Sequence, residues 1–409
     1  MAVAPPARSI RLVVRDDDLH RNRLTVFFRL LLAIPHLVWL ILWGIAAFTV
    51  AFVNWLAVLI EAKVPTSLHD FVAGYLRYAT HVGAYLLLAA NPYPGFRGRP
   101  GYPVDLEIDP PERQGRWGGF FRLFLALPAL VLAEALGGGG GSDTGGAAAM
   151  AAFLAWFFCL ALGRAPRGLR DLTAYALDYG AQAAGYFLLL TPRYPSSDPT
   201  LAEAFSELPE HPVRIVVDDD LERSRLTVVF RALLAIPHLV WLLLWGIAVV
   251  FAAIAAWFAA LFTGLVPEAL HRFLAAYVRY WANVTAYLTL VGRRFPGFTG
   301  RAGSYGIDVE LAPRERQNRW TILFRLFLAL PALLLSSALT SVLVVVAVFG
   351  WFYAMVRGRT SDGFRNLGVA CIRYIAQTHA YFLPVTGRYP YAAPVLRGKA
   401  EAPGPGDAH

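Results

Sequence analysis

Cysteine is nearly absent from this chain. Cys159 and Cys371, each inside an apolar run, exclude a disulfide framework and a cysteine-based zinc site. Charge is scarce as well: 16% of the 409 residues are Asp, Glu, Lys or Arg, where an average soluble domain has ~25%. Lysine contributes almost nothing to that share, and nearly every cation is Arg. What fills the space is apolar and aromatic, 57% hydrophobic residues with 27 Phe, 18 Tyr and 11 Trp. Such a composition excludes a disordered chain and argues against an ordinary soluble enzyme; the natural solvent for much of this surface is lipid. A net charge of +9 on a soluble protein would suggest nucleic acid. On a chain this apolar it points to anionic lipid headgroups, and no nucleic-acid partner is expected. Met1 to Arg15 hold no apolar run, so no cleavable signal peptide is expected. Catalytic templates are missing too. There is no Gly-x-Ser-x-Gly elbow, no His-Glu-x-x-His pair, no P-loop and no dinucleotide fingerprint, and the chain is expected to be no enzyme and to hold no cofactor.

What is present is repetition. Residues 15–46 and 217–248 are identical at 26 of 32 positions, at an offset of 202, so the chain is a tandem duplication. Each half divides again. Phe28-Arg29, Phe121-Arg122, Phe230-Arg231 and Phe324-Arg325 each precede a proline (Pro35, Pro128, Pro237, Pro331) that falls six residues after the Arg. A tyrosine follows that proline by 50 residues in three units (Tyr85, Tyr287, Tyr381) and by 58 in the second (Tyr186). The units close on Tyr93-Pro94-Gly95-Phe96, Tyr194-Pro195, Phe295-Pro296-Gly297-Phe298 and Tyr389-Pro390. The chain therefore reads as two membrane units, residues 1–200 (modules 9–98 and 102–196) and 201–391 (modules 211–300 and 305–391), followed by a flexible tail over 392–409.

The Arg-Leu…Phe-Arg…Ala-Ile-Pro-His opening, the Arg-Tyr…Ala-Tyr segment and the Tyr-Pro-x-Phe close resemble a bacterial membrane family. It is the one filed as domain of unknown function four-three-eight-nine, and the resemblance reads as two tandem copies spanning Ile10 to about Tyr391. It implies a multi-pass protein of the bacterial inner (plasma) membrane and brings no activity with it.

The spacing sets dimensions. Each module opens on an alternating segment (Ile10, Leu12, Val14; Val104, Leu106, Ile108; Val213, Ile215, Val217; Ile307, Val309, Leu311), which predicts a half-buried strand. Four such short strands are expected to pair into one small sheet on the membrane surface. Trp55, Trp257 and Trp351 follow their prolines by 20 residues, and Trp156 by 28. Twenty helical residues rise ~30 Å, one hydrocarbon core, so a helix bent at the Pro and spanning to the Trp is expected. Segments 67–90, 168–190, 269–291 and 363–385 read as returning helices. The predicted fold is an all-α integral membrane protein of four helical hairpins with a small cytoplasmic β layer. Eight passes place every strand on one side; four passes, with interfacial returning helices, split the strands between sides. Cations concentrate in the termini and inter-module segments rather than the hairpin tips, which favours eight passes and cytoplasmic termini. The glycine-rich insertion Gly137–Gly146 breaks the second module at a depth where irregular backbone must lie against protein or water.

Two sets of residues are candidate sites. The returning helices share a polar stripe whose equivalent positions are Arg77, Asp178, Arg279 and Arg373. If the modules surround one axis, these meet inside the membrane as an anion site, with Asp178 neutralising one cation. The second set, Arg29, Arg122, Arg231 and Arg325, is expected at headgroup depth as interfacial lipid contacts. Structural roles compete in both cases: bonding helix ends for the first set, simple snorkelling for the second. His36 and His238 follow the kink proline in modules one and three only; bonding of the backbone freed by the proline is favoured over metal binding. Asp16–Asp18 and Asp218–Asp220 read as turn-and-cap residues rather than a calcium loop. The function expected is a non-catalytic membrane protein that binds anionic lipid as a scaffold or lipid-handling factor. The alternative is a transporter or channel for a small anionic solute or lipid along the stripes. Protein partners and oligomeric state are open.

Overall fold

The computed structural model describes residues 8–15, 18–138, 145–202, 209–303 and 305–394. Four modules follow one plan: a strand, a long apolar helix and a 21-residue amphipathic helix, with a one-turn helix before the long one in all but the third and the long helix in two pieces in the second. Module one comprises β1 (Ile10–Val14), α1 (Arg23–Phe27), α2 (Arg29–Glu61) and α3 (Thr66–Leu86). Module two has β2 (Val104–Ile108), α4 (Arg116–Phe120), α5 (Arg122–Gly137), α6 (Ala147–Leu162) and α7 (Arg167–Phe187), then a 3-10 turn over Pro199–Leu201. The third holds β3 (Val213–Val217), α8 (Arg225–Thr263) and α9 (Glu268–Leu288). The fourth holds β4 (Ile307–Leu311), α10 (Arg319–Leu323), α11 (Arg325–Arg357) and α12 (Asp362–Phe382). Local chemistry sets these limits. Asn22 and Asn318 accept N–H bonds from Leu24 and Trp320, capping α1 and α10. Gly163, Gly264 and Gly358 end α6, α8 and α11 at φ of 70° to 75°, the left-handed stop that glycine adopts without Cβ strain.

Two expectations need correction. The long helices do not start at the prolines: Pro35, Pro128, Pro237 and Pro331 all lie inside helices. The break falls seven residues earlier, at Phe28, Phe121 and Phe324, and in the third module there is none. The Tyr93 hydroxyl, which donates to the Leu32 carbonyl at 3.2 Å, supplies a donor beside the hydrogen bond that Pro35 deletes. Nor do the strands form one sheet. β1 pairs antiparallel with β2 (Leu12 opposite Leu106), and β3 with β4 (Ile215 opposite Val309), giving two separate ribbons.

Each ribbon lies over the middle of two returning helices rather than beyond their ends. Arg77, midway along α3, donates to the Leu106 carbonyl at 3.0 Å; Asp178, midway along α7, accepts the Leu12 N–H at 2.9 Å. α3 and α7 run antiparallel, with Gly83 against Leu177 and Gly185 against Leu76 and Ile10. The apolar helices lie along this layer. α2 starts where Arg29 bonds the C-terminal end of α3. It finishes at α4, where Trp55 donates to Gly119 and Ala62 accepts from the Gln114 N–H, while Gln114 also reaches Leu189 past the end of α7. Module two returns the other way: Gly163, after α6, accepts from the Arg21 N–H, and Arg21 reaches Leu88 and Ala89 past the end of α3.

The second half repeats this arrangement, and the two halves join layer to layer. α5 and α6 pack on α11 among the apolar helices, and the Pro199–Leu201 turn packs on α12 above them. The helix of module two is broken as the glycines required. Residues 139–144 of the insertion lie outside the described residues; the two pieces on either side, α5 and α6, both rest on α7 and α11. Among the described residues three helices, α2, α8 and α11, are long and apolar enough to cross a membrane.

Candidate lipid interface

The buried arginines organise each module. Arg29, Arg122, Arg231 and Arg325 are at most 4% exposed. Their guanidinium carbons lie 4.3, 4.1, 4.3 and 4.8 Å above the rings of Tyr85, Tyr186, Tyr287 and Tyr381. In every module the guanidinium Nη1 donates twice: to the carbonyl of that same tyrosine and to a carbonyl five residues on, Ala90, Thr191, Gly292 or Thr386. A helix leaves its last carbonyls unpaired. Here one cation satisfies them and stacks on the ring as well. In modules two and four Gln114 and Gln317 accept from the same guanidinium, and in modules one and three Arg21 and Arg223 reach that helix end instead. The expected headgroup role of Arg29, Arg122, Arg231 and Arg325 is therefore corrected: protein, not lipid, surrounds these side chains.

The cations that do face outward stand six residues earlier. Arg23, Arg116, Arg225 and Arg319 open α1, α4, α8 and α10 and are exposed. Arg23, Arg116 and Arg225 each donate one bond to the C-terminal turn of the neighbouring apolar helix, at Ala161, Ile60 and Val356. The next residue is a bare apolar group: Leu24, Trp117, Leu226 or Trp320, between 68% and 77% exposed. Arginine beside exposed tryptophan or leucine is the pairing expected at a bilayer interface. The constant six-residue interval was visible in the sequence. What hid its meaning was that the exposed and the buried arginine look alike without the tyrosine fixed in place.

Between these rims lie the outer faces of α2, α8 and α11. One narrow stripe of α2 (Ala33, His36, Ala47, Asn54, Val58) is buried, Leu40, Trp43, Val50 and Trp55 are half-buried, and the outer face carries exposed Leu, Ile, Val and Phe. Patches beyond a few hundred Å² mark an interaction surface.

The stripe residues find their partners within their own halves. Arg77 lies 3.8 Å from Asp105, which also meets His81 at 2.9 Å. Asp178 accepts from Arg8, Leu12 N–H and Gln182, each at 2.9 Å, while burial pushes its carboxyl above the usual range against the pull of Arg8. Arg279 donates to Val309 and Gly300 and lies 3.5 Å from Asp308; Arg373 donates to Ala393 and Tyr391. The first two thus sit under one ribbon, and Arg279 sits under the other. His36 and His238 bond the hydroxyls of Tyr78 and Tyr280 at 2.6 and 2.7 Å, not the backbone, and stack on Phe96 and Phe298. Asp16 and Asp17 lie outside the described residues; Asp18 accepts the His20 N–H, and Asp219 pairs with Arg223 at 2.6 Å. Among the described residues no group of three His, Cys, Asp or Glu could hold a metal ion.

A family model, Domain of unknown function (DUF4389), matches four times, over residues 23–97, 116–197, 225–299 and 319–393. The chain belongs to that family. The family unit is one module, so four copies are present rather than the two expected, and each match runs from the first helix of its module past the closing turn while leaving out the strand. No curated protein and no solved structure matches.

Proposed function

We propose that the chain is a non-catalytic membrane protein that holds anionic phospholipid, as a scaffold or lipid-handling factor. The single observation that supports this most is the exposed apolar layer of α2, α8 and α11, bounded by Arg23, Arg116, Arg225 and Arg319. Each such arginine at an anionic surface contributes about 1 kcal/mol, so four together favour anionic over zwitterionic lipid by roughly a thousandfold. The ribbons, with the described ends of the chain beside them, would face the cytoplasm of a bacterial cell, following the cation bias.

Retention of lipid tests the reading. Purified protein examined by native mass spectrometry should carry phosphatidylglycerol in preference to phosphatidylcholine, and Arg→Gln at all four rim positions should abolish the preference. Equal retention of both lipids by the unaltered protein would refute it. The transport alternative needs a hydrated route along the polar stripes, and Arg77, Asp178 and Arg279 are engaged by ribbon backbone. Anion flux in proteoliposomes that is lost in Arg279→Glu, with folding intact, would restore it.

A further inference from the structure

The layering bears on how the apolar helices meet the bilayer, and this inference rests on the membrane reading above. β1 and β2 are hydrogen-bonded neighbours, so they lie on one side of any membrane. The chain between them, α1 to α3, must then cross an even number of times. α3 does not cross: its midpoint lies under the ribbon, whose Arg11 and Glu107 are open to solvent, and charged strand residues do not lie at the centre of a hydrocarbon core. If α3 does not cross, α2 cannot cross either.

Independent geometry agrees. The two ends of α2 are tied to the C-terminal ends of α3 and α7, through Arg29 at one and through Gln114 at the other. Because α3 and α7 are antiparallel, those ends are opposite edges of one layer, and α2 runs along it from edge to edge. Length speaks the same way. The 33 residues of α2 and α11 and the 39 of α8 amount to ~50 and ~58 Å of helix. Upright, each would outreach even the ~40–45 Å of a bilayer with its headgroups.

We propose that the chain is monotopic. The apolar layer of both halves occupies a single leaflet, no helix crosses the bilayer, and both ribbons and all hairpin turns face the same compartment. The occupant of the apolar face is the acyl region of that one leaflet. Such a body adds volume to one leaflet only, unlike the eight crossing helices expected from the spacing.

The test uses the full chain with Cys159→Ala and Cys371→Ala, both sites being buried. Single cysteines are introduced at Lys63, in the turn after α2, at Glu268, the first residue of α9 after the turn that follows α8, and at Glu107 and Glu310 on the ribbons. An impermeant maleimide is applied to right-side-out and inside-out membrane vesicles from cells that express the protein. All four positions should react in one vesicle orientation and lose reactivity together in the other. Turn cysteines that react from the side opposite the ribbon cysteines would overturn the monotopic arrangement while leaving membrane residence intact. Release of the chain from the vesicles by alkaline carbonate would instead overturn the membrane reading on which this rests.

Discussion

Replacing Arg325 by methionine isolates the contact that holds a module together. Arg325 is 1% exposed, donates to Tyr381, Thr386 and Gln317, and lies 4.8 Å above the Tyr381 ring. Methionine keeps the length and the apolar stem and deletes every donor. Three buried acceptors are then left unpaired, at ~1–3 kcal/mol each, and a desolvated cation–π contact of ~2 kcal/mol is lost. Removing a buried cation also relieves a desolvation cost of several kcal/mol, which brings the net loss to roughly 3–5 kcal/mol. Unfolding followed by circular dichroism in mixed micelles, as the mole fraction of denaturing detergent rises, reads this difference. Arg325→Lys, which keeps the charge but not the fork or the planar face, should fall between. The exposed Arg319→Gln should change stability by less than ~0.5 kcal/mol. A double-mutant cycle with Tyr381→Leu should show a coupling of ~1–2 kcal/mol. Arg325→Met within 1 kcal/mol of the unaltered protein, or a coupling near zero, would mean that this arginine does not cap the helix as described.

Acid should weaken the fold through two histidines. Burial pushes His211 and His379 down to about 4, so the folded chain favours their neutral forms. Their stabilisation is complete above ~6.5 and is lost as pH falls from there toward 4, by about 3 kcal/mol per group. His211→Gln should flatten that part of the stability profile, and an unchanged profile would count against the burial. Asp178→Ala, which strands Arg8 and the Leu12 N–H, should cost roughly 3–5 kcal/mol, and Asp178→Asn distinctly less; equal losses would mean that the hydrogen bonds add nothing beyond the charge there. A Cβ at Gly185 would come within 2.1 Å of Ile10 Cδ1, so Gly185→Ala should cost ~1–3 kcal/mol and be partly rescued by Ile10→Val. Absence of rescue would place β1 farther from α7 than described.

Much of the local structure was legible in residue patterns. The strands fell where alternation put them, Ile10–Val14 and Val104–Ile108 among them, because a half-buried extended segment needs a period of two. Phe-Arg, Pro and Tyr at fixed intervals revealed four modules, and the Arg–Tyr interval is the very pair that stacks. Misjudged were the meanings of distance and of charge. A ruler from Pro35 to Trp55 took the proline as the start of a helix, but a proline one turn inside an exposed helix can stay there, and the helix began at Arg29. Arg29 and Arg23 are both arginines beside an apolar run, and nothing local tells which one a tyrosine 56 residues past Arg29 will cover.

Periodicity and repetition are short-range properties, so the sequence by itself determined the four modules, the identity of their helices and strands, and the apolar character of α2, α8 and α11. Which strand pairs with which, which arginine is buried, and whether a long apolar helix stands upright or lies flat are decided by contacts between residues far apart in the chain. Only the packed structure brings Arg29 to Tyr85, Leu12 to Asp178 and Trp55 to Gly119, and those contacts lay the apolar helices along a layer instead of across one.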